Sequence, residues 1–136
     1  MLLEIALRDI VVDKILLIGL GSAIGGICRY LVSTGVHKLL GRAFPYGTLA
    51  VNALGSLLVG VIFVMLLERF NGFADQFRAL LIIGFLGGFT TFSSFSIETI
   101  NLIEAGELYR GLLNIFISII LCLSLTWIGV LLGRQL

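Results

Sequence analysis

The stretch Gly84-Phe-Leu-Gly-Gly-Phe-Thr-Thr-Phe-Ser-Ser-Phe-Ser96 sits inside an otherwise apolar segment and decides how the chain is read. An apolar helix at membrane depth closes its own backbone hydrogen bonds. Here Gly87-Gly88 offers no side chain to stabilise a helix, and the hydroxyls of Thr90, Thr91, Ser93, Ser94, Ser96 and Thr99 compete for backbone groups. The pattern predicts that the backbone opens just after the glycine pair. Hydrocarbon cannot satisfy freed N–H and C=O groups, so an opening is tolerated only where protein surrounds it or where it lines a polar path. Phe85, Phe89, Phe92 and Phe95 thread the same residues. A polar opening decorated with aromatic rings points to a transport site.

Working outward, 59% of the 136 residues are hydrophobic and 12% charged, far from the roughly 25% charged content of soluble domains. The chain reads as a single all-α integral membrane domain over residues 1–136. Apolar segments at about 15–36, 48–67, 79–97 and 111–132 each approach the ~20 residues needed to cross ~30 Å of hydrocarbon. They predict four transmembrane helices, the third one broken. The 14 residues before the first span form an amino-terminal extension. In it Leu3, Leu7, Ile10 and Val11 share a helical face and Glu4 can pair with Arg8, predicting an interfacial helix or a continuation of the first span. Four short helices leave little interior for a path through one copy, so size alone predicts an oligomer.

Charge placement bears on orientation. Arg8, Lys14, Arg69, Arg78 and Arg134 fall on one side of the membrane and Lys38, Arg42 and Arg110 on the other. That near balance is compatible either with a weak single orientation or with insertion both ways. A net charge of +1 leaves no footprint for nucleic acid. His37, read as a solvated loop residue, and Cys28 and Cys122, read as packing residues, do not form a metal site of known spacing.

In the first span Gly21 with Gly25 and Ser22 with Gly26 predict a face for close helix approach. Arg29 in the same segment reaches water at the helix end, donates to loop or helix-end carbonyls at a subunit contact, or draws anions toward a vestibule. The connector ends in Phe44-Pro-Tyr-Gly47, with Thr48 available to cap the second span, in which Asn52 is the polar residue. An amide there serves either a helix–helix hydrogen bond or an anion. The Glu68–Arg78 segment, with Asn71-Gly72, reads as a polar turn, and Glu98, Glu104 and Glu107 as solvated loop acids. Asn114, Ser118, Cys122 and Thr126 recur every four residues and predict one polar track along the fourth span.

These readings place no carboxylate in the membrane and no nucleophile beside a base, which argues against an enzyme and against proton-coupled exchange. What remains is hydroxyls, amides, one Arg and phenyl rings, whose edges are partly positive. Half-helices beginning after the glycine pair would point N–H groups inward. Anion passage is the better fit, with freed carbonyls able to hold a small cation.

Gly25-Gly-Ile-Cys-Arg-Tyr30, Phe44-Pro-Tyr-Gly-Thr-Leu-Ala-Val-Asn52 and Gly84 through Glu98 together resemble the CrcB/Fluc family of bacterial fluoride channels, in order from about Gly19 to Arg134. The resemblance implies a dual-topology, antiparallel homodimer in the bacterial inner membrane. It implies passive export of cytoplasmic fluoride, which protects the cell from fluoride toxicity. Carried over by motif, Asn52, Phe92, Phe95 and Ser118 would line the fluoride path, with Asn114 beside Ser118 on the fourth-helix track. The carbonyls of Gly87 and Thr90 would hold a structural sodium ion at the dimer centre, and Arg29 would be the first-helix arginine. A small multidrug-type four-helix transporter is the alternative; it calls for an intramembrane carboxylate.

Overall fold

The computed structural model describes the backbone of residues 2–69 and 74–136 and the side chains of residues 11–66 and 75–136. Helix α1 spans Leu2–Leu40, α2 Tyr46–Arg69 and α3 Ala74–Phe77; a π-helical segment, Arg78–Leu86, continues directly into α4, Gly87–Phe89. Helix α5 spans Phe92–Glu104 and α6 Leu108–Gln135. Among the described residues there is no strand, and four helical stretches are long and apolar enough to cross a membrane: Val11–Leu40, Tyr46–Leu66, Asp75–Glu104 and Leu108–Gln135. The predicted pairing of Glu4 with Arg8 and the Asn71-Gly72 turn lie outside the described residues.

Helix α1 runs four residues past the predicted end of its span because nothing before Gly41 breaks it. Gly41 then adopts φ +80° while its N–H still bonds the His37 carbonyl at 2.9 Å, a left-handed stop that glycine takes without steric cost. His37 is therefore a half-buried helical residue and not a solvated loop residue. Thr48 likewise lies inside the first turn of α2, which begins at Tyr46 after Pro45, and caps nothing. Glu98 is a residue of α5, within the third membrane-crossing stretch, rather than of the loop beyond it. The loop reading failed because the apolar run was ended at the first charge, whereas α5 continues to Glu104 before turning through Gly106 at φ +79°.

Packing follows the small residues. Helix α1 lies mainly on the π-helical segment and α4, and α2 mainly on α6. A methyl group added at Gly21 would fall 2.2 Å from the Leu80 carbonyl oxygen, and one at Gly25 would fall 2.1 Å from that of Phe85. Backbones this close gain dispersion contacts along their whole length, which is the attraction available where lipid is as apolar as Leu. Gly60 and Gly129 do the same for α2 and α6: a Cβ at Gly60 would fall 2.3 Å from the Thr126 carbonyl oxygen.

Gly25→Ala must push α1 off the π-helical segment, and is expected to cost about 1–3 kcal/mol of stability in detergent. Gly19→Ala meets nothing within 4 Å in the subunit and serves as the matched control. Equal unfolding midpoints for the two variants would contradict this packing.

Candidate functional site

Helical hydrogen bonding in the third crossing ends with the bond from the Thr90 N–H to the Leu86 carbonyl. Thr90 has φ −82°, ψ 159° and Thr91 φ −153°, ψ 109°, both extended, and helix resumes at Phe92. The interruption thus falls two residues after the glycine pair. Gly87 and Gly88 stay helical, and Gly88 is used for contact: a Cβ there would sit 2.5 Å from the Ser22 carbonyl oxygen.

The freed backbone groups are met locally. In an unbroken helix the Thr91 N–H would donate to Gly87; here it donates to Asn52 Oδ1 at 2.8 Å, while Asn52 Nδ2 donates to the Thr91 carbonyl at 3.0 Å. One amide side chain thus answers both polar groups of one peptide residue. The Thr91 hydroxyl accepts from the Ser94 N–H at 3.2 Å and caps α5, and it donates to Ser94 Oγ at 3.0 Å. On the other side the Thr90 N–H and hydroxyl both donate to the Leu86 carbonyl, at 2.9 and 3.0 Å. Arg29 reaches across from α1, its Nη1 donating to the Thr90 carbonyl at 3.2 Å. The guanidinium finds a carbonyl acceptor, with no carboxylate partner among the described residues.

Beside the interruption lies an open groove of about 500 Å³, lined among others by Asn52, Ser56, Thr91, Phe92, Phe95 and Ser118. Phe92 and Phe95, three apart on α5, set their ring centroids 5.2 Å apart at 45°. The Phe95 side is packed away at 9% exposure, whereas Phe92 stands out at 78%. Phe85 and Phe89 instead stack on each other, 5.9 Å apart and nearly parallel, outside this lining.

The fourth-helix residues separate in their surroundings. Ser118 and Cys122 line the groove. Thr126 donates to its own helix at the Cys122 carbonyl, 2.9 Å. Asn114, 1% exposed, lies behind the groove and ties α6 to α5: its Nδ2 donates to Thr99 Oγ1 at 2.8 Å, and Thr99 donates to the Phe95 carbonyl at 2.7 Å. Ser118 donates to Asn114 Oδ1 at 3.4 Å. The chain from Ser118 through Asn114 and Thr99 ends on the backbone of Phe95, so three of the candidate residues are mechanically joined. Thr99 was singled out only as a hydroxyl of the opening; its spacing of four from Phe95 is the signal for this buttress.

Reading the sequence also missed the pair Thr48–Glu98, in which the Thr48 hydroxyl donates to Glu98 Oε1 at 2.9 Å while Oε2 is buried without a partner among the described residues. Helical spacing could have found it. Thr48 precedes Asn52 by four and Glu98 follows Phe95 by three, so each shares a helix face with a candidate site residue. With Glu98 inside the third crossing, the argument that the membrane holds no carboxylate no longer stands, and it cannot be used against a proton-coupled transporter.

Comparison with known proteins decides that point. The family model described as CrcB-like protein, Camphor Resistance (CrcB), matches residues 16–130. The chain is similar to a protein of Coxiella burnetii, 56% identical over 123 residues that cover 90% of this chain and 99% of the relative. It is also similar to one of Geobacter sulfurreducens, 50% identical over 122 residues, 90% of this chain and 98% of the relative. A third, from Hydrogenovibrio crunogenus, is 40% identical over 122 residues, 90% and 92%. All three bear the name fluoride-specific ion channel FluC.

Asn52→Ala leaves the Thr91 N–H without its acceptor, and the expected loss of stability is about 1–3 kcal/mol, above the ~0.6 kcal/mol of an average interhelical bond in a membrane. Unfolding of the purified protein in detergent measures it; a loss below ~0.5 kcal/mol would mean that the amide does not hold the interruption.

Proposed function

The chain belongs to the CrcB family and is a fluoride-specific ion channel, and we propose that it works as an antiparallel homodimer exporting fluoride passively across the bacterial inner membrane. Fluoride that enters as the neutral acid ionises in the cytoplasm, and a passive path for the ion returns it. The observation that carries the dimer reading is the groove itself. Amide and hydroxyl groups together with an exposed phenyl ring lie in a channel open along one side at membrane depth, where lipid offers nothing to polar groups. A second copy supplies the missing wall.

The groove suits a small, strongly hydrated anion. Such an ion moves only if water is replaced by several weak partners, since a single strong site would trap it. The edges of Phe92 and Phe95 supply partial positive charge without a counter-ion. Asn52 has a second N–H beyond the one spent on Thr91. At 3.4 Å the Ser118 hydroxyl is held loosely enough to turn toward an ion. Asn114 takes part through Ser118, which it orients. The multidrug-type alternative gains one feature from Glu98, but its relatives by sequence are not found among the proteins above, and the channel reading is preferred.

The sodium expectation fits the donor chemistry of the interruption. The Gly87 carbonyl has lost the Thr91 N–H and the Thr90 carbonyl has lost the Ser94 N–H, so hard oxygen donors of the kind sodium takes are left over. When bound, sodium would neutralise carbonyl dipoles brought together from two copies. Arg29 occupies part of the capacity of the Thr90 carbonyl and positions that peptide; a second lone pair remains.

Phe92→Ile and Phe95→Ile keep bulk and remove the quadrupole, and each is expected to lower fluoride efflux from liposomes at least about tenfold with the dimer intact. Parent-rate efflux from both folded variants would refute the aromatic-edge mechanism. Chloride efflux from the parent should be negligible beside fluoride. For the antiparallel arrangement, Arg134→Cys should be labelled from both sides of the membrane by an impermeant thiol reagent after Cys28 and Cys122 are replaced by Ser. Labelling from one side with activity intact would exclude it.

A further inference from the structure

Thr99 and Asn114 are buried and neither lines the groove, yet the Thr99 hydroxyl joins two groups that matter to it. It donates to the Phe95 carbonyl at 2.7 Å and accepts from Asn114 Nδ2 at 2.8 Å. The directions of these bonds are not interchangeable. A backbone carbonyl only accepts, so the Thr99 proton is committed to Phe95 and the Thr99 oxygen has only lone pairs left for Asn114. Asn114 must therefore turn its NH₂ toward Thr99, which leaves Oδ1 toward Ser118. Facing that oxygen, the Ser118 hydroxyl can only donate, at 3.4 Å. The reverse sense, with Thr99 donating to Asn114, would set the Thr99 and Phe95 oxygens against each other in a buried place with no proton between them.

This direction fixes what Ser118 offers the groove that it lines. Its O–H points back into the bundle, and an anion gains that donor only at the expense of the bond to Asn114. We propose that Thr99 is a positioning residue for fluoride passage: it sets the sense of the chain from Phe95 through Asn114 to Ser118, so that Ser118 turns its O–H from Asn114 to the ion and back. The inference deepens the pore reading above and rests on Ser118 facing the ion there. The bond given up each time weakens the hold on the ion, and a residue without contact with the groove sets that cost. Freeing the O–H should therefore strengthen the hold. Asn114→Leu keeps the bulk and removes the oxygen to which Ser118 donates. In Thr99→Val nothing anchors the Asn114 NH₂, which turns about and donates to the Ser118 oxygen, the acceptor within reach.

Fluoride current in planar bilayers, recorded against fluoride concentration, tests it by separating the half-saturating concentration from the maximum current. Thr99→Val and Asn114→Leu should each lower both by about threefold, the worth of one weak hydrogen bond. Thr99→Ser keeps the hydroxyl and should restore the parent values. With Ser118 already replaced by Ala, neither substitution should move the half-saturating concentration further, because the effect passes through Ser118. A loss of packing alone would lower the current without lowering the half-saturating concentration, and removal of a direct ion ligand at Asn114 would raise it. Either result overturns the inference, as does a shift that persists in the Ser118→Ala background, and the pore reading survives all three. Should Thr99→Val fail to fold, Asn114→Leu decides alone. Ser118→Ala with parent currents at every fluoride concentration would overturn both this inference and the place of Ser118 in the pore.

Discussion

The fold depends on how one amide answers an open backbone in hydrocarbon. Two consecutive extended residues, Thr90 and Thr91, uncouple α4 from α5, and each unsatisfied peptide group there would cost several kcal/mol in a medium without water. Asn52 supplies acceptor and donor to the same residue, Thr91, and so substitutes for a turn of helix from a neighbouring span. The Thr91 hydroxyl then starts the next helix. Because both ends of the amide are committed, α2 is locked to the interruption, and everything that lines the groove is registered against that contact.

Close backbone packing makes the amide contact possible. Asn52 reaches Thr91 only if α2 and the third crossing lie near each other, and Gly55, one turn farther along α2, has no room for a Cβ: one would fall 2.2 Å from Thr90 Cγ2. On the opposite flank Gly21, Gly25 and Gly88 bring α1 against the same segment, which carries Arg29 to within hydrogen-bonding distance of the Thr90 carbonyl. Small residues and polar clamps therefore act together. The first set the distance between backbones, and the second use it.

A consequence for transport is that the groups facing the groove are partly occupied already. Asn52 has spent one N–H, Ser118 is loosely bonded, and the rings carry no charge. On the pore reading proposed above, such groups would hold a fluoride ion only weakly, as conduction needs, since an ion bound strongly enough to be stripped of water by one group would not leave. Rigidity comes from behind: Asn114 and Thr99 join α6 to the backbone of Phe95 and hold the groove lining in place.

Composition and spacing alone settled much of this molecule. Four crossings, the shared face of Phe92 with Phe95 and the polar track through Ser118 followed from apolar run lengths and helical periodicity, because hydrocarbon imposes one length and one periodicity on every crossing, whereas the candidacy of Asn52 came from the family resemblance of its motif. Tertiary structure decided where the backbone opens. Glycine permits an opening, but Gly87 and Gly88 stay helical, the missing side chain of Gly88 being used for close contact with α1, while Thr90 and Thr91 open where Asn52 and a capping hydroxyl meet them. It also drew Glu98 into the third crossing beside Thr48 and set Asn114 behind the groove, two placements that depend on which face of one helix meets another. Periodicity along a single chain states which residues share a face. Only the packed bundle states what that face is turned toward.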